Sequence, residues 1–94
     1  MKKLLFTLLV SLFCSQIQAQ MRCKVLEAGT QQPIIGATVM ALTTKKIVAV
    51  TDQNGCFLLS TNFNQQVKIS YIGYKPLQVV PKQGAVYHLN LDVN

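Results

Sequence analysis

One histidine, three acidic residues and no apolar run long enough to cross a bilayer set the first limits on this 94-residue chain. His88 stands alone, so neither a multi-histidine metal site nor the paired histidines of a zinc peptidase can be assembled within one chain. A serine triad would need Asp52 or Asp92 behind His88 together with an oxyanion hole, and no nucleophile-elbow motif is present. Asp52-Gln53-Asn54-Gly55 is similar to the start of a calcium loop, but the twelfth position, where a bidentate Glu is needed, falls on Phe63. No Gly-rich phosphate cradle precedes a helix. The expectation is therefore a non-enzyme with no catalytic, cofactor-binding or metal-binding residues, and His88 reads as a surface histidine on a terminal strand.

The charge balance is one-sided, nine Lys and Arg against three Asp and Glu, for a formal +6. Part of that excess sits in an export leader. Met1-Lys2-Lys3 is followed by the apolar run Leu4 to Cys14, broken only by Thr7 and Ser11, and then by polar Ser15 and Gln16. This is the layout of a secretory signal peptide, and its 11 apolar-rich positions fall short of the ~20 of a spanning helix. Cleavage after Ala19 makes 1–19 the signal peptide and 20–94 the mature domain. Acylation at Cys14 is the alternative, opposed by bulky Phe13 where a small residue is required. Without the leader, seven basic and three acidic residues remain, a net +4, and 35 of 75 residues are apolar. That apolar share is ordinary for a globular domain. Lys45-Lys46 is the one remaining basic doublet and no aromatic ladder accompanies it, so nucleic acid is not an expected partner.

Period-two alternation dominates the mature segment, and helical periodicity is absent. Met21, Cys23 and Val25 share one face against Arg22 and Lys24. Val67, Ile69 and Tyr71 share one against Lys68 and Ser70. At the end of the chain, Tyr87, Leu89, Leu91 and Val93 face inward and Val86, His88, Asn90 and Asp92 outward. Ala37–Leu42 and Ile47–Thr51 are apolar on both faces, which reads as central strands or strands with a second covered face. Asp52-Gln53-Asn54-Gly55 is the strongest turn, expected to join Ile47–Thr51 to Cys56–Ser60 as a hairpin. Further turns fall at Gly29 to Pro33, Asn62 to Gln65, Gly73, and Pro81 to Gly84. Seven closely spaced strands predict an all-β fold, a seven-stranded antiparallel β-sandwich. Cys23 and Cys56 allow one internal disulfide, but Cys23 is in the inward phase and Cys56, beside inward Phe57, in the outward phase. One core thiol and one exposed thiol is the preferred arrangement.

Three segments carry a resemblance: Gln32-Pro33-Ile34-Ile35-Gly36-Ala37-Thr38-Val39, Thr51-Asp52-Gln53-Asn54-Gly55-Cys56-Phe57, and Ile69-Ser70-Tyr71-Ile72-Gly73-Tyr74-Lys75. Together they resemble the carboxypeptidase regulatory-like domain, in the version that forms the N-terminal extension of SusC-type TonB-dependent outer-membrane receptors of Bacteroidetes. The resemblance spans Met21 to Asn94. It implies a transthyretin-like (prealbumin-like), Greek-key sandwich whose motif residues are scaffold, with no catalytic residue to transfer. Two positions depart from the family pattern. Cys23 replaces a usual glycine, and Thr43-Thr44-Lys45-Lys46 replaces a connection that commonly contains one.

What the resemblance implies for function is an exported module, periplasmic or on the periplasmic face of the outer membrane, associated with receptor-driven glycan uptake. In such receptors a plug and barrel follow this domain, and this sequence reaches Asn94, where that continuation would begin. A protein partner is expected, an outer-membrane receptor or another envelope protein. The alternative is an independent secreted or surface module that binds protein by strand addition at an open sheet edge. A hydrolase of the transthyretin-like type shares the architecture, but a single histidine leaves its polar site unbuilt.

Overall fold

Side chains alternate across an extended backbone, so a strand between a core and water sorts its residues by parity. The computed structural model, which describes residues 20–92, shows this sorting along β1 (Gln20–Glu27). Met21, Cys23 and Val25 are buried there, and Arg22 and Lys24 are exposed. The rule repeats in β2 (Thr38–Ala41) through Val39 and Ala41, in β4 (Cys56–Ser60) through Phe57 and Leu59, and in β5 (Val67–Ser70) through Val67 and Ile69. The remaining strands are β3 (Lys46–Val50), β6 (Leu77–Val79) and β7 (Val86–Leu89). The signal peptide and Val93 lie outside the described residues.

The seven strands form two sheets, of order β4-β1-β7 and β3-β2-β5-β6. Their inner faces share one hydrophobic core, in which Val25, Phe57 and Leu89 of the first sheet meet Val39, Val67 and Ile69 of the second. The arrangement is all-β and sandwich-like. Five strands, β2 to β6, have only antiparallel partners, but β1 and β7 run parallel, Lys24 opposite Val86 through Glu27 opposite Leu89. This corrects the fully antiparallel expectation. Alternation reports which face is buried and says nothing about the direction of a neighbour. After β6 the chain crosses from one sheet to the other through Val80–Ala85 and arrives alongside β1. The crossing is anchored by Lys24 N–H donating to Ala85 O (3.0 Å), Gly84 N–H to Arg22 O (2.9 Å) and Arg22 N–H to Gln83 Oε1 (2.8 Å).

Three further expectations are corrected. β3 is an edge strand and has no second cover, so Ile47, Val48 and Val50 are exposed. Its partner on β2 steps from Ala49 opposite Val39 to Ile47 opposite Met40, which leaves Val48 as the extra residue of a bulge. Tyr71 does not continue the inward row of Val67 and Ile69, because β5 ends at Ser70. Leu91 is likewise exposed, since β7 ends at Leu89 and the chain then crosses to form a bridge with Tyr74.

The Lys45 backbone sits at φ 57° in the connection that commonly carries glycine, so the departure noted in the sequence puts a side chain where the left-handed conformation disfavours one.

Candidate interaction surface

Thr51 is the one buried polar residue of the described core, and its hydroxyl is doubly used. Oγ1 accepts from Ala37 N–H at 2.8 Å and donates to Ile34 O at 2.6 Å. The Thr51 amide donates to Ala37 O (3.0 Å) and its carbonyl accepts from Gly36 N–H (3.1 Å). One residue thus ties the start of β2 to the end of β3. The next residue shapes the turn. Asp52 Oδ1 accepts from the amides of Asn54 and Cys56, both at 2.9 Å, and Asp52 N–H donates to Cys56 O at 2.9 Å. The amides of Cys56 and Asn54 hold the Asp52 carboxyl below its ordinary value by stabilising the anion.

Gly55 completes the turn at φ 76°, and a Cβ there would lie 2.7 Å from Val25 O and 2.9 Å from Pro33 Cβ. Its own carbonyl accepts from Val25 N–H at 2.7 Å. Gly36 is set by its backbone at φ 83°, since a Cβ there would make only an ordinary 3.8 Å contact with Tyr71 Cε1. The three motif segments therefore meet at one end of the domain, around Pro33–Ala37, Thr51–Gly55 and Tyr71. The last described residues join them there: Asp92 N–H donates to Gly73 O (3.0 Å) and Lys75 N–H to Asn90 O (2.8 Å). Nearby, the Tyr74 hydroxyl donates to Glu27. Acceptance of that proton by the Glu27 carboxylate, with burial adding to it, raises the Tyr74 phenol above its ordinary pKa.

The turn holds together only at its base. β3 and β4 diverge from it into different sheets, so the expected hairpin is a corner between sheets and the two strands form no ladder. Between them lies a groove of about 270 Å³ lined by Val48, Ala49 and Val50 on one side, Cys56, Phe57 and Leu58 on the other, and Asp52. Leu58 and Val50 are exposed, 48% and 53%, although both are large and apolar. Leu58 stands opposite Arg22 and Cys56 opposite Lys24, and Lys45 and Lys46 lie at the start of β3. The groove's lining mixes apolar side chains with polar surface, and Asp52 is its one charged residue. Sequence reading does not single out Leu58. The available signal was that Ile47–Val50 and Leu58 place apolar residues on faces no periodicity assigned to the core.

Cys23 and Cys56 are free thiols. They sit on adjacent, paired strands, Cys23 opposite Phe57 and Lys24 opposite Cys56, so parity sends the two sulfurs to opposite faces of one sheet. Burial pushes the Cys23 thiol up, and its Sγ donates to Lys82 O at 3.2 Å. His88 lies on the outer face of β7, where Nε2 is 2.9 Å from Gln31 Oε1. Asp52 belongs to the turn and Asp92 to the bridge beside Gly73, and neither is bonded to His88. Among the described residues no three His, Cys, Asp or Glu side chains cluster, and no helix is long and apolar enough to cross a membrane.

Comparison with known families matches residues 21–93 to the family described as the CarboxypepD_reg-like domain. No curated protein matches the chain.

Proposed function

Because the chain belongs to the CarboxypepD_reg-like domain family, we propose that it is a non-catalytic exported module of TonB-dependent nutrient uptake, glycans being the expected cargo. In this reading it acts at the periplasmic face of the outer membrane as a receptor N-terminal extension or as an accessory domain. Its topology is of the transthyretin-like, Greek-key type. The observation that carries the reading is the convergence of the three motif segments on structural tasks. Thr51 locks Ile34 and Ala37, Gly55 allows β1 and Pro33 to close over the turn, and Gly36 takes the positive φ that the entry to β2 requires. The leader Met1–Ala19 supports export.

The test is capture of the tagged protein from solubilised envelope membranes. A TonB-dependent receptor is expected to co-purify, and recovery of none above background would overturn the association. Intact mass should begin at Gln20, and a purified protein that retains Lys2-Lys3 would remove the export step. A second reading, an independent module that binds by strand addition, is favoured by the groove between β3 and β4 and its exposed Val50 and Leu58.

A further inference from the structure

Residues that lie opposite one another on paired strands share a sheet face. On the outer face of the first sheet, Arg22 and Lys24 of β1 therefore stand beside Leu58 and Cys56 of β4, and Lys24 stands beside Val86 of β7 on its other flank. The crossing segment closes one side, because Gln83 and Gly84 bond the Arg22 backbone and Ala85 bonds that of Lys24. Here lies a shallow, mostly apolar pocket of about 280 Å³, which shares only Cys56 with the groove between β3 and β4. Both charges in its lining, Arg22 and Lys24, are positive. Leu58 and Val86, each 48% exposed, extend the apolar surface across the same face. The strands of this sheet hold one acid, Glu27, which accepts from Tyr74. Asp52 lies within the field of Arg22, but its Oδ1 is taken by the Asn54 and Cys56 amides.

We propose that this face docks an acidic segment of a protein partner, whose carboxylates meet Arg22 and Lys24 and whose apolar side chains cover the pocket, Leu58 and Val86. This rests on the reading of the chain as a non-catalytic module with a protein partner, and it names the surface and the partner's chemistry. Two residues apart on a strand, Arg22 and Lys24 are about 7 Å apart at the backbone and build one local positive field. A purely apolar partner would desolvate both cations without pairing them. An inorganic anion would pair them and leave the apolar lining uncovered. A bilayer presents its anionic groups in a plane, whereas these cations share the lining of a concavity that a side chain can enter. A second copy of this chain fits poorly. Of its three acidic residues, Glu27 is bonded to Tyr74 and Asp52 to the turn amides, so the copy offers a net-basic surface to a basic face.

The probe is the fluorescein-labelled peptide Ser-Glu-Glu-Leu-Leu-Glu-Glu-Ser, titrated with the purified full chain and followed by anisotropy. Saturable binding is expected, weakened at least ~10-fold when Arg22→Gln and Lys24→Gln are combined, and unchanged by Lys46→Gln on the other sheet. All three positions are exposed, and circular dichroism with a thermal melt checks that each variant folds. Versions of the peptide with Lys for Glu, or with Gly for Leu, should each bind at least ~10-fold more weakly. Combining Arg22→Glu with Lys24→Glu should reverse the preference and favour the Lys peptide. No binding of the Glu-Leu peptide overturns the proposal, as does equal binding of the Lys or the Gly version, or an equal loss from Lys46→Gln. Two further results overturn it by seating another occupant. One is binding to phosphatidylglycerol vesicles that the double Gln variant abolishes while the peptide fails to bind. The other is self-association in sedimentation velocity that the double Glu variant abolishes. Failure here with a receptor still captured from membranes removes this face and leaves the transport reading standing, whereas peptide binding with no receptor captured does the reverse.

Discussion

Replacing Thr51 by valine removes one hydroxyl and keeps the shape of the side chain, so the substitution isolates two hydrogen bonds from packing. The residue is 4% exposed, and the two groups it serves, Ala37 N–H at 2.8 Å and Ile34 O at 2.6 Å, belong to buried residues. Each buried group left without a partner costs about 1–3 kcal/mol. Ile34 O keeps a second lone pair, so the combined loss should come to about 2–4 kcal/mol. Against a stability of roughly 5–10 kcal/mol for a domain of this size, that is a large fraction. It corresponds to a fall in melting temperature of roughly 8–32 °C at ~4–8 °C per kcal/mol. Thr51→Ser provides the control. It keeps the hydroxyl and loses one methyl group, about 1 kcal/mol. The assay is urea unfolding followed by far-UV circular dichroism, read as the change in midpoint at constant slope. A Thr51→Val protein within about 0.5 kcal/mol of the parent would refute the reasoning. So would a serine variant as unstable as the valine one, because then packing and not hydrogen bonding would hold this corner.

Other substitutions test the same end of the domain and the loops around it. Gly55→Ala brings a Cβ within 2.7 Å of Val25 O at positive φ, and should cost about 2–4 kcal/mol in urea unfolding. Lys45→Gly relaxes a left-handed backbone at φ 57° and should gain roughly 0.5–1 kcal/mol; a loss of stability would contradict the strain. Asp52 has a folded pKa below its unfolded value because the Cys56 and Asn54 amides bond its carboxylate. Its contribution is therefore present above the unfolded pKa and lost as pH falls through the folded one. Acid titration of urea midpoints should show a steeper decline in the parent than in Asp52→Ala, and parallel curves would contradict it. Thiol labelling of the native protein, mapped by mass spectrometry, should modify half-buried Cys56 quickly and buried Cys23 only on unfolding; rapid labelling of both would show that Cys23 is not in the core.

Parity was legible in the sequence, and adjacency was not. Met21, Cys23, Val25, Phe57, Val67 and Ile69 alternate with polar or exposed neighbours, and all are buried. The Asp52–Gly55 turn was legible too, because Asp and Gly carry their turn geometry in their own covalent structure. Ile47–Val50 was misread as covered since apolar content on two faces is compatible with burial but does not supply a neighbour, and β3 has one only on the β2 side. The parallel pairing of β1 with β7 depends on which way a crossing loop turns, which is decided by contacts such as Gly84 with Arg22 that no local pattern encodes. The groove escaped notice for the same reason: Val50 and Leu58 flank one turn, and only the splitting of their strands into separate sheets opens a space between them. Thr51 was read as part of a motif, but its hydroxyl's two partners come from a segment folded back across it.

The parallel β1–β7 pair also sets a schedule for folding. β1 is the middle strand of its sheet, yet the neighbour on one flank is the last strand made. A chain that emerges N-terminus first must hold β1 with that flank open until Val86–Leu89 appears, and Leu89 then fills its place in the core. Contacts so distant in sequence form slowly, and an unpaired strand invites wrong partners in the interval. The interval before β7 arrives is therefore when this domain is most exposed to aggregation, and a chain cut short of Val86 would remain in that state.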